Sequence, residues 1–157
     1  MRIFAANKEI LNPCPSVSLR SAYFWSSVVP TEVVFMISQV ELEHRIEQAY
    51  QLLESCRVCP REGGVNRLKD DKLGFCRSGL NPVIASVSPH HGEEPPLSGT
   101  KGSGTVFFTN CNLRCVYCQN YPISQMGNGT ARTPGELACQ MLWLQEQGCH
   151  NLNLVTP

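Results

Sequence analysis

Residues 102–125 read GSGTVFFTNCNLRCVYCQNYPISQ. From Gly104 to Thr109 the run is rich in β-branched and aromatic residues, the pattern of a short buried strand. Three cysteines follow at once, Cys111, Cys115 and Cys118, in the spacing C-x3-C-x2-C. If the loop curls, three thiolates this close in sequence converge on one metal site. Three are one fewer than a closed tetrahedral site needs. A cluster held by three cysteines leaves one iron without a protein ligand, and that iron can bind a small molecule.

Downstream the pattern continues as loop, helix and strand. Gly127-Asn128-Gly129 is a turn. Thr133-Pro134-Gly135-Glu136 predicts a helix start, with Thr133 as N-cap, Pro134 at the first helical position and Glu136 as capping-box partner. Leu137, Met141 and Leu144 make one helical stripe, and Gly148 closes the helix. Asn151 to Val155 reads as a second strand. Strand, crossover helix and strand form a βαβ unit, the building block of parallel α/β folds. The cysteine loop then sits at the carboxyl end of the first strand, where such folds put their active sites.

Upstream the chain is less regular. Val40 to Ser55 predicts a helix with Ile46, Ala49 and Leu53 on one face. Residues 56–103 are turn-rich, with Gly63-Gly64, Pro82, Pro89 and Pro95-Pro96, and they carry Cys56, Cys59 and Cys76. Such a segment has few regular elements, and a metal would supply stability. Residues 1–38 show no clear periodicity; Ala22 to Trp25 and Val33 to Ile37 are candidate short strands. The expected organisation is an N-terminal extension (1–38), a helix plus a cysteine-containing turn-rich segment (39–103), and the βαβ unit (104–157).

The 157 residues carry 13 Lys and Arg against 13 Asp and Glu, a formal net charge of zero. That balance argues against nucleic acid or an anionic membrane as the main partner. The stretch from Ser27 to Ile37 is too short and too interrupted to span a membrane. Nine cysteines are about 6% of the chain, dense for a cytosolic enzyme and thin for a disulfide scaffold. The expectation is a soluble, cytoplasmic protein whose thiols are free for metals.

C-x3-C-x-aromatic-C after a first strand resembles the radical S-adenosylmethionine (SAM) superfamily. GSGTVFFTNCNLRCVYCQNYPISQ is similar to the branch related to pyruvate formate-lyase activating enzymes. CRVCPREGGVNR, LGFCRSG and SPHHGEEPPLSGTKGSG upstream add to the likeness. The resemblance runs from about Leu42 to Pro157. It implies that Cys111, Cys115 and Cys118 ligate a [4Fe-4S] cluster, whose open iron chelates SAM for reductive cleavage to a 5′-deoxyadenosyl radical. Tyr117 would lie beside the adenine. An electron donor and, by analogy with the activating enzymes, a protein substrate on which a glycyl radical is generated would be the partners. The implied fold is the start of a partial (β/α) barrel. The family's barrel is longer than the stretch after Cys111 allows, so the chain is expected to be truncated.

The relatives' upstream pattern reads CPREC, and Gly63 stands here where they have the last cysteine. Cys56, Cys59 and Cys76 form a weaker candidate site for zinc or a second cluster, with Cys14 conceivable as an outside ligand. Two bland alternatives stand beside these readings. The first is a zinc knuckle using the three loop cysteines plus His150 or a water. The second is a non-catalytic fragment that holds iron–sulfur or zinc. His90 and His91 read as a surface turn, Cys139 and Cys149 as small apolar residues, and Arg114 as an offset to thiolate charge or a solvated side chain.

Overall fold

A computed structural model describes residues 37–69 and 74–156. The candidate strand Ala22 to Trp25, Cys14, and all but the last residue of Val33 to Ile37 lie outside them. The described residues belong to two compact units that divide between Leu80 and Asn81.

The first unit opens with helix α1, Gln39–Gln51. Ser38 caps it by accepting a hydrogen bond from the Glu41 N–H, the role serine favours at a helix start. Its less exposed apolar residues, Ile46 and Tyr50, line up with Leu53 just beyond its end, whereas Ala49 faces solvent. The stripe therefore steps by four and then three, one residue away from the expected one. Residues 52–55 continue as turns rather than helix. An isolated antiparallel bridge then joins Cys56 to Val65.

The second unit is a four-stranded mixed sheet in the order β3-β1-β2-β4. Its strands are β1 (Val83–His90), β2 (Ser103–Phe108), β3 (Thr130–Ala131) and β4 (Leu152–Val155). Two one-turn helices, α2 (Pro95–Ser98) and α3 (Tyr121–Ser124), lie in the connections, and α4 (Pro134–Glu146) joins β3 to β4. β4 runs parallel to β2, pairing Gly104 with Leu152 through Phe107 with Val155. The βαβ reading of the sequence corresponds to β2, α4 and β4.

β1 departs from expectation. It pairs antiparallel with β2 from Ile84 opposite Phe108 to His90 opposite Ser103. In VIASVSPH the polar residues alternate with apolar ones, but Pro82 and Pro89 suggest loop. β3 reaches only Val83 and Ile84, so Pro89 lies where β1 has one partner only, a place where proline is tolerated. The boundary expected at 103/104 would separate β1 from its partner. The compact unit begins at Asn81 because that hairpin is its largest pairing.

α4 starts with the expected capping box: Thr133 Oγ1 accepts from the Glu136 N–H at 3.2 Å, and Glu136 Oε2 accepts from the Thr133 N–H at 2.7 Å. Gly148, with φ +82°, ends it in the left-handed region. The helix covers one face of the sheet through Leu144, which has no exposed surface and packs with Ile84 and Val106. Val87, Phe108, Leu137 and Cys149 surround that core. On the same face Leu152 and Leu154 of edge strand β4 remain largely exposed. Among the described residues no helix is long and apolar enough to cross a membrane.

Candidate metal centre

β2 is an inner strand, hydrogen-bonded on both sides, so the loop leaving its carboxyl end starts from a fixed point. The turn out of the strand uses left-handed backbone at Asn110 (φ 65°) and Arg114 (φ 52°). Asparagine accepts that conformation readily, whereas arginine holds it at a cost of about 1–3 kcal/mol. The curl gathers the cysteines. Cys111 is buried, Cys115 and Cys118 are half-buried, and all three line one cavity of about 390 Å3.

The same cavity is lined by Arg114, Tyr117 and Ser124. Among the described residues lining it, Arg114 is the one charged side chain. The Leu113 N–H donates to Cys111 Sγ at 3.4 Å, and Ser124 Oγ lies 3.3 Å from Cys118 Sγ. Tyr117 is 91% exposed and Val116 97%, an unusual position for large apolar side chains between two half-buried cysteines.

Among the described residues no three His, Cys, Asp or Glu side chains are drawn together as they would be around a single ion. The loop cysteines instead stand around an open volume. A multi-atom cluster several ångströms across is the kind of group that would bridge thiolates spaced around such a volume. The donor set, three soft sulfurs with an amide donor to Cys111 and a hydroxyl partner at Cys118, is compatible with iron–sulfur chemistry.

His150 does not belong to this site. Its N–H donates to the Gly102 carbonyl, just before β2 begins, while Cys111 lies beyond the strand's other end. Six strand residues span roughly 20 Å, which removes the zinc alternative that uses His150. The ring of His150 instead packs at Gly99 and that of His91 at Gly102, and His90 Nε2 lies 3.9 Å from a Glu93 oxygen.

The second candidate set lies in the first unit. Cys56 is buried, and its backbone pairs with Val65 and Gly64. Cys59 and Cys76 are half-buried. Arg67 links this region, with Nη1 3.7 Å from Cys56 Sγ and with Nε and Nη2 donating to the carbonyls of Ser78 and Gly79. Gly74 lies near both Val65 and the Cys76 sulfur. A Cβ at Gly63 would meet nothing within 4 Å.

Ser124 and Gln125 were not visible as site residues in the sequence. Neither carries a metal-binding signature, and each acts through the loop's own backbone and sulfurs.

Over 85 residues the chain is 36% identical to an uncharacterized protein of Methanocaldococcus jannaschii. The match covers 54% of this chain and 23% of that protein, so the chain spans about a quarter of the relative's length. No family model matches the chain, and no solved structure matches it.

Proposed function

We propose that this chain is a radical SAM iron–sulfur protein of the kind related to pyruvate formate-lyase activating enzymes. The observation that carries the proposal is the single cavity lined by Cys111, Cys115 and Cys118 at the carboxyl end of an inner strand. A [4Fe-4S] cluster held there by three thiolates supplies one electron and an open iron for cleaving SAM to methionine and a 5′-deoxyadenosyl radical. The protein's own tasks are to hold the thiolates apart at a fixed spread, to offer N–H and O–H donors to their sulfurs, and to balance their charge with Arg114. Exposed Tyr117 provides a flat apolar face for a purine next to the cysteines.

The β2, α4 and β4 unit, with β4 parallel to β2, is what the opening of a (β/α) barrel would contribute, while antiparallel β1 and β3 lie outside that pattern. The exposed leucines of β4 lie on the helix-covered face, where a further strand and helix of such a barrel would pack. An electron donor and a protein substrate are the partners this reading assigns.

Anaerobic reconstitution with iron and sulfide tests it, followed by electron paramagnetic resonance of the reduced chain with and without SAM. The expected result is a [4Fe-4S]⁺ signal that shifts on adding SAM, is lost in Cys115→Ala, and accompanies release of 5′-deoxyadenosine. A cluster that assembles but ignores SAM leaves an iron–sulfur protein without this chemistry. Iron that does not assemble sinks the cofactor assignment as well.

A further inference from the structure

The segment after the third cysteine touches all three. The Cys111 N–H donates to the Ser124 carbonyl at 3.1 Å. Ser124 Oγ lies 3.3 Å from Cys118 Sγ. The neighbouring Gln125 Nε2 donates to the Cys115 carbonyl at 2.9 Å. Ser124 has no exposed surface and lines the cavity, so water does not compete for its hydroxyl. α3 fixes the pair, because the Ser124 N–H donates to the Asn120 carbonyl and the Gln125 N–H to that of Tyr121. One short turn thus grips the first cysteine by its backbone, the second by its carbonyl and the third by its sulfur.

We infer that Ser124 and Gln125 are positioning residues of the metal centre, with separate jobs. This rests on the iron–sulfur reading above. Once Cys118 is a thiolate, the Ser124 hydroxyl is the only donor of that pair. A hydrogen bond to a ligand sulfur draws charge from it and favours the reduced, more negative cluster. Ser124 therefore sets how easily the centre takes an electron. Gln125 acts on the backbone: by donating to the Cys115 carbonyl it holds the chain at the middle ligand and governs whether the loop keeps its curl. Arg114, strained in the left-handed region beside Cys115, makes that hold necessary.

The full chain and the variants Ser124→Ala, Ser124→Thr and Gln125→Leu would be reconstituted anaerobically. Each would be titrated potentiometrically with spectroscopic detection of the reduced cluster, and iron loss to a chelator would be timed. Far-UV circular dichroism and Tm establish that each is folded. Ser124→Ala is expected to weaken reduction about tenfold, which is about 59 mV for one electron, and Ser124→Thr is expected to restore the wild-type potential. Gln125→Leu is expected to lose iron about 10–100-fold faster, as outer-shell partners typically do, at an unchanged potential.

If the wild-type chain assembles a cluster and Ser124→Ala reduces at the same potential, the inference about Ser124 fails while the iron–sulfur reading stands. A Thr variant displaced as far as the Ala variant overturns it too, because packing and not the hydroxyl would then be responsible. A wild-type chain that takes up no iron removes both readings together.

Discussion

Gly104 is the second residue of β2, the first strand of the βαβ unit, at the point where three elements meet. A methyl group placed there would stand 2.9 Å from the Asn151 carbonyl oxygen, 3.0 Å from Leu152 Cδ2 and 3.2 Å from Leu144 Cβ. Two of these neighbours yield poorly. The Asn151 carbonyl accepts the Gly104 N–H at 2.9 Å and so fixes the register between β2 and β4. Leu144 is the fully buried centre of the core. Two opposing terms decide the outcome for Gly104→Ala. Replacing glycine inside a regular element recovers about 0.5–1 kcal/mol of backbone entropy. Overpacking a close contact costs about 1–3 kcal/mol. The expected net is a loss of about 1–2 kcal/mol, which is large for a domain whose total stability is on the order of 5–15 kcal/mol. Urea unfolding of the full chain followed by near-UV circular dichroism would measure it. Since the cysteine loop leaves the other end of β2, the folded variant should take up iron as the wild type does. An unchanged or raised midpoint would show that β4 and α4 do not approach β2 as closely as described.

Leu144→Ala removes the residue about which Ile84 and Val106 pack, and the expected cost is about 2–5 kcal/mol; a shift in the urea midpoint equivalent to less than about 1 kcal/mol would place the core elsewhere. Thr133→Ala takes away the cap of α4 and should cost about 1 kcal/mol, read as a lower Tm. The N–H and hydroxyl of Thr133 and the Arg132 guanidinium hold the Glu136 carboxyl below its usual range. A lowered folded-state value means that the capping box is fully stabilising above the ordinary glutamate pKa, about 4.3, and is lost as pH falls through the folded value. The acid-side fall in Tm should therefore be shallower in Glu136→Gln, and parallel curves would refute the coupling. Gly63→Cys should fold as the wild type does, given the open space at that position. If Cys56, Cys59 and Cys76 form a metal site, a fourth thiolate completes a tetrahedral set and zinc should bind more tightly than in the unmodified chain; equal zinc affinity would dissociate these cysteines from one another.

What the sequence disclosed depended on how local the physics was. α4 was legible almost to the residue, because Thr133, Pro134, Glu136 and Gly148 each act within a turn of the chain. β2 and β4 were legible because apolar runs bounded by turns leave few other options. β1 was hidden because it is specified by its partner: Ser86 and Ser88 become strand residues only opposite Phe107 and Thr105. At the site, the three cysteines declare themselves by spacing. Ser124 and Gln125 do not, since a serine and a glutamine beyond the last cysteine acquire a role only when α3 turns them back onto the loop.

That difference also explains how the site can be strained and still well placed. The loop departs from an inner strand, takes left-handed backbone at Asn110 and Arg114, buries Cys111, and leaves Val116 and Tyr117, between the two half-buried cysteines, turned outward. Left to itself, such a turn would relax into several shapes. It is restrained at both ends. Asn110 and Cys111 donate to the carbonyls of Ile123 and Ser124, and the Tyr121 N–H donates to the Cys118 carbonyl. The one-turn helix α3, too short to be stable alone, is in turn held by the loop it restrains. Loop and turn are therefore one folding element, and a substitution in either should be felt at the cavity before it is felt in the sheet.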